Sequence, residues 1–166
     1  MLVLKWRFWA VLALFIMAFP LSAIAESIEI KGLHVGMTKA EVDAKFPTWE
    51  DFTIAGVTSK YDFDPVQIEY RNDKLDVLHF SFNSDGFETV LGALKEKYPN
   101  LVCESTQVGN AMGATFKQLR CTLSDKESLL ELSRFVNDIE TSSLMLISKK
   151  KLKELDEKTK ERKKDI

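Results

Sequence analysis

Two cysteines, Cys103 and Cys121, constrain what this chain can fold into more than any other feature. They lie in strand-like stretches, Leu101 to Val108 and Ala114 to Leu123. Between these stands Gly109-Asn110-Ala111-Met112-Gly113, whose two glycines and one asparagine suit a turn. A hairpin centred on Met112 sets positions 103 and 121 opposite one another, so the spacing predicts a cross-strand disulfide. By the chain-entropy argument, closing a loop of this size contributes on the order of 3 kcal/mol, less any strain from the cross-strand geometry. Two free thiols are the alternative, expected of a chain that stays in a reducing compartment.

The first residues favour an oxidising one. Lys5 and Arg7 form a short basic region, Phe8 to Phe19 is an unbroken apolar run of 12 residues, Pro20 breaks it, and Ala23-Ile24-Ala25 offers small residues for cleavage. This is the pattern of a cleavable secretory signal, and the run falls short of the roughly 20 residues of a membrane-spanning helix. The expected organisation is a signal peptide over 1–25, one α+β domain over 26–148 and a charged helical tail over 149–166. After cleavage no stable membrane anchor is expected, and the predicted location is periplasmic or secreted.

Charge is unevenly placed. The whole chain carries −2, but Glu26 to Ser148 holds 20 acids and 12 bases, or −8, while Lys149 to Ile166 holds 9 bases and 5 acids, or +4. An acidic body argues against nucleic acid as a partner. The tail has only Leu152 and Leu155 as large apolar residues before its final Ile166, with Lys150/Glu154, Lys153/Glu157 and Glu154/Lys158 at i, i+4 spacing. It reads as a solvated helix, able at most to make weak contact with an anionic surface.

Along the body, Ser27 to Leu33 alternates as a short strand. Gly36-Met37-Thr38-Lys39-Ala40-Glu41-Val42 follows: Thr38 and Glu41 are spaced for a capping box, Met37 and Val42 for a hydrophobic staple, and Pro47 ends the helix. Strands are expected at Phe52 to Val57, Val66 to Tyr70 and Leu78 to Phe82, with Ile68 facing Leu78 and Val66 facing Phe80. Asp85 and Glu88 suggest a looser cap for a second helix that buries Phe87, Val90, Leu91, Leu94 and Tyr98 before Pro99. Leu130 and Leu132 alternate into a last hairpin with Leu144 to Ile147, although Leu129, Leu132 and Phe135 also fit a helical period.

The expected fold is therefore α+β: a mostly antiparallel sheet, two helices on one face and a charged C-terminal helix. The stretch Val35 to Val42 resembles the Gly-Met-Thr helix start shared by small envelope proteins of the SmpA/OmlA (BamE-like) kind and by β-lactamase inhibitor protein. That resemblance implies helices on an antiparallel sheet and action by binding another protein. It covers about eight residues and transfers no binding residue. The SmpA/OmlA proteins also carry a lipid-bearing cysteine near the processed N-terminus, and this chain has none there.

Catalytic patterns are sparse. The two histidines, His34 and His79, fall in no recognised motif, and there is no Gly-x-Ser-x-Gly elbow, zinc helix or phosphate loop. A small hydrolase or ligand-binding protein built on His79 or His34 is the alternative reading, and an immunity-type protein a third. Asp62, Asp64, Asp73 and Asp76 lack the ordered spacing of a calcium loop, so no metal or cofactor is expected. Trp49, Phe52, Tyr61 and Phe63 surround one connecting region and form a candidate partner-binding surface, with core packing as the competing role. The main expectation is a protein-interaction module, an envelope accessory or an inhibitor. On export from a bacterial host, the intact mass should correspond to a chain starting at Glu26 with no thiol reactive to alkylation until a reductant is added; a retained leader or free thiols would refute this.

Overall fold

The computed structural model describes residues 27–62, 65–109, 113–136 and 138–164, so the expected signal peptide, Phe63 and the tip of the cysteine hairpin lie outside the described residues. The described chain opens with β1 (Glu29–Ile30) and β2 (Leu33–His34), a minimal hairpin rather than one strand. Its two-residue turn, Lys31-Gly32, has positive φ at both positions, the geometry that matches the right-handed twist of flanking strands. The ring hydroxyl of Tyr98 ties this hairpin down. It accepts from the Glu29 N–H at 2.9 Å and donates to the Glu29 carbonyl at 2.8 Å.

Helix α1 (Lys39–Lys45) begins as its sequence requires. Thr38 Oγ1 accepts from the Glu41 N–H at 3.3 Å, and Glu41 Oε2 accepts from the Thr38 N–H at 2.8 Å, completing the capping box. Met37 and Val42 are both buried in the core, as a staple demands. The same stretch is also bonded to the sheet. Gly36 N–H donates to the Leu75 carbonyl at 2.9 Å, and Leu75 N–H donates to the Met37 carbonyl at 2.7 Å.

The segment expected as one strand from Phe52 to Val57 is instead β3 (Thr53–Ile54) and β4 (Val57–Thr58), folded back on each other about Ala55-Gly56. Ala55 sits at φ 51°, a conformation that residue rarely takes, which is why the turn is hard to see beforehand. β5 (Gln67–Arg71) and β6 (Lys74–Asn83) form a tight hairpin about Asn72-Asp73, with Ile68 opposite Leu78. Ser84–Gly86 makes a 3-10 turn that runs straight into α2 (Phe87–Lys97). The cap expected from Asp85 and Glu88 does not form, because Gly86 is already helical and leaves no extended residue to cap. A Cβ on Gly86 would lie 2.7 Å from the Val57 side chain, so this turn is pressed against β4.

β7 (Val102–Gly109) and β8 (Thr115–Ser124) follow, with Cys103 directly opposite Cys121 and joined to it in a disulfide, their Cα atoms 4.0 Å apart. β9 (Ser128–Arg134) and β10 (Thr141–Ser148) complete one six-stranded antiparallel sheet in the order β5-β6-β10-β9-β8-β7. Residues 129–135 are thus mostly strand, not helix. The fold is α+β.

One face of the sheet is closed. Phe80, Phe82, Leu78, Leu144, Leu146, Leu130, Leu132 and Cys121 point to it and are buried with Val42 of α1 and Phe87, Val90, Leu91 and Leu94 of α2. The expected partner surface is partly consumed here. Phe52 is 3% exposed and packs edge-on against Phe80 with centroids 5.6 Å apart, while half-buried Trp49 stacks on Phe46 at 5.1 Å; Tyr61 remains exposed. Large aromatic area gains more from the core than from solvent, which corrects the reading of Phe52 as a surface contact.

Helix α3 (Lys149–Lys164) leaves β10 with no linker. A bulge between Glu69 and Tyr70 leaves Asp76 without a strand partner, and its carboxylate, buried, accepts from Arg71 Nε at 2.8 Å and from the Ser148 hydroxyl. Ser148 Oγ in turn accepts from the Lys151 N–H at 3.0 Å, satisfying a donor of the first helical turn. Arg71 reaches on to hold Glu154 with both terminal nitrogens, and Lys151 pairs with Glu69. So Glu154 is taken by β5 rather than by Lys150 or Lys158, and only the Lys153–Glu157 pair of those expected forms, at 3.9 Å. Arg71→Ala should detach this helix: amide exchange across residues 151–158 is expected to quicken about tenfold or more while that of β10 is unchanged, and unaltered exchange would show that the pairs do not hold it.

Candidate functional site

Strand alternation that sends the large apolar side chains to one face sends a different set to the other. Along β6, β10 and β9 this second face carries the row His79, Met145 and Glu131, and beside it the row Ser81, Ser143 and Ser133. β8 and β7 extend it with Arg120, Gln118, Glu104 and Thr106. A third row, Val77, Ile147 and Leu129, lies at the α3 end. Val77 and Ile147 are buried yet separate from the main core, consistent with the first turns of α3 lying over that end through Lys151 and Glu69. What stays open among the described residues is a polar groove of about 640 Å³ lined by the first two rows except Ser81, by the four β7 and β8 residues, and by Phe135 and Val136.

Its polar groups are bonded mainly to one another. Ser133 Oγ donates to Glu131 Oε1 at 2.9 Å, and Arg120 pairs with the other oxygen of Glu131. Bonding to Glu131, with Glu104 nearby, holds the Arg120 guanidinium firmly protonated against its partial burial. Gln118 Nε2 donates to the Phe135 carbonyl at 3.2 Å, and the Phe116 and Phe135 rings meet edge-on at 6.1 Å, closing one end of the groove. His79 contacts Gln67 Oε1 through Nδ1 at 3.3 Å, and burial pushes its imidazole below the ordinary value. No hydrogen bond or ion pair joins His79 to a carboxylate or a serine among the described residues. A general base works with such an orienting partner and a nucleophile in reach, and among the described residues neither is bonded to His79.

His34 sits elsewhere, in a depression of about 430 Å³ between β2 and the β8–β9 turn. Its Nδ1 lies 3.0 Å from the Val35 carbonyl. The neighbouring Asp125 is occupied structurally: it accepts from the N–H groups of Ile28, Glu127 and Ser128 at 3.0, 2.8 and 2.7 Å. Burial would raise its pKa, but these bonds outweigh it and the carboxyl titrates below its usual range. The two histidines are therefore brought neither to each other nor to a shared site.

The acidic residues noted from sequence do not converge. Asp76 belongs to the α3 joint, Asp73 to the β5–β6 turn, Asp62 is exposed and Asp64 lies outside the described residues. Among the described residues no three His, Cys, Asp or Glu side chains are grouped to hold a metal. Nor is any helix there long and apolar enough to cross a membrane. Sequence reasoning missed the Arg120–Glu131 pair and the serine rows; the alternating polar positions of β8, β9 and β10 were the available signal.

Comparison with protein-family models, with curated proteins and with solved structures finds no match to this chain. His79 offers a direct check on the groove. The unfolded chain binds a proton at the imidazole's ordinary value and the folded chain only at a lower one, so stability should fall as pH drops between the two and rise again with pH. An NMR titration should place His79 below 6.5, and urea unfolding of His79→Gln should lose this component of the pH dependence; a value at or above 6.5 would contradict the burial.

Proposed function

We propose that this chain is an exported protein-binding module, of the periplasm or extracellular space, and that the open sheet face is the surface it presents to a partner. The observation behind this reading is the division of the sheet: one face is sealed by two helices, while the other is polar and, among the described residues, holds an open groove at its centre. The face bears Met145 and neutral hydroxyls, its Arg120–Glu131 couple is paired within the fold, and Glu104 beside Arg120 is a further carboxylate that a partner's cation or hydrogen-bond donors would meet. The disulfide between Cys103 and Cys121 fits an oxidising compartment, and the Gly36 to Val42 helix start agrees with the envelope-protein resemblance. Helix α3 adds a basic surface of its own, since only Lys151 and Lys153 among its lysines are drawn into ion pairs in the described residues. That surface suits a weak contact with anionic lipid headgroups.

One observation favours a second reading, a small polar ligand bound in the groove: its volume lies in the range of small-molecule sites and His79 lines it. The two are separable. A photo-reactive residue placed at Thr122 or Met145, on the open face, should give a single discrete protein adduct in cells, and one at Lys95 on exposed α2 should not. Met145→Arg should abolish that adduct while Tyr61→Ala leaves it. Equal labelling from both faces, or none from either, would overturn the protein-binding reading, and saturable thermal stabilisation by a small metabolite lost in His79→Ala would favour the second.

A further inference from the structure

The two outer strands of the sheet are guarded very differently. β5 is five residues long, follows Pro65, is paired to β6 across a bulge at Asp76 and is crossed by the ion pairs of Glu69 and Arg71 to α3. These are the devices by which proteins stop an edge strand from pairing with another chain. β7 has none of them. It is eight residues long, regular, without proline or lysine, carries Glu104 as its one charge, and is stiffened by the disulfide. Among the described residues no strand pairs with its outer side.

Which backbone groups it presents follows from the ladder. The Asp125 N–H donates to the Ser128 carbonyl at 3.2 Å, in register with the β8–β9 pairing of Cys121 with Leu132, so odd-numbered residues of β8 direct their backbone at β9 and even-numbered ones at β7. Cys103 and Cys121 then form a non-hydrogen-bonded pair, in keeping with their close Cα separation of 4.0 Å. On β7 the even residues are used by β8, and Cys103, Ser105, Gln107 and Gly109 turn their N–H and C=O groups outward.

We infer that β7 pairs antiparallel with β7 of a second copy of this chain, about a two-fold axis at Ser105. The strand is self-complementary in that register. Cys103 exchanges backbone bonds with Gln107 of the other copy, Ser105 with Ser105, and Val102, 61% exposed in the single chain, lies against the second copy's Val108 at a non-hydrogen-bonded position where side chains come closest. Glu104 falls opposite Thr106 and keeps Arg120 as its own strand neighbour, so no two like charges stand directly across the axis. The sheet then runs to twelve strands with both open faces on one side. An interface made by one strand pair is smaller than the roughly 1,200 Å² of a stable complex, so the dimer is weak and concentration-dependent. This contact uses the edge, not the open face, and does not depend on which partner that face binds.

Ser105→Pro separates this from other modes of association. Its N–H faces outward, so proline there removes a bond to the second copy without removing one to β8. In the disulfide-bonded protein, NMR amide exchange at high concentration should be slowed about tenfold at Cys103, Ser105 and Gln107 relative to dilute protein, and sedimentation should show a monomer–dimer equilibrium. Ser105→Pro should be monomeric at the same concentrations with an unchanged far-UV spectrum and an intact disulfide. Concentration-independent exchange at those three amides, or a Ser105→Pro variant that still dimerises, would overturn the inference.

Discussion

Exclusion of water from one side of the central strands is the constraint on which the rest of this structure depends. Phe80 and Phe82 of β6 stack at 5.6 Å, Leu144 lies opposite both Phe80 and Leu132, and Leu146 opposite both Leu78 and Leu130. That apolar field is too wide for strands alone to hide, so α1, α2 and the small hairpins must lie across it. The strand period of two then leaves the intervening residues no choice of side. Serines, His79 and the Arg120–Glu131 pair face the other way because every second position was claimed by the core.

Charge is used in this molecule chiefly to join elements. Asp76, left over by a bulge, is buried and would be costly unpaired; Arg71 and Ser148 satisfy it and in doing so fix where α3 starts. Asp125 does the same at the β8–β9 turn, gathering that turn and the segment leading into β1. Both carboxylates are fully engaged within the fold, so the acidic character of the body resides in other, more exposed groups.

Local features were legible in the sequence, and long-range ones were not. The Thr38–Glu41 box lies within four residues and obeys one rule of donor satisfaction, so it could be read directly. The pairing of Cys103 with Cys121 needed only a hairpin centre. Asp85 misled because a 3-10 turn runs directly into the helix, and Ala55 hid a turn because its positive φ is imposed by closure of the β3–β4 hairpin rather than by its own preference. Phe52 was ambiguous, since an aromatic residue carries no mark of whether it meets the core or a partner. The Arg71–Asp76–Glu154 joint depends on a bulge and on elements far apart in the chain, which no periodicity announces.

The position of β10 has a consequence for the order in which the molecule can assemble. Among the described residues it is the last strand in sequence, yet it lies between β6 and β9 and is the only one that joins the β5–β6 hairpin to the β9-β8-β7 run. Until it arrives, two incomplete sheets each expose a long unpaired edge and half of an apolar field. The described sheet is therefore not completed in chain order; its two parts wait on β10, and the closing step is one of high contact order.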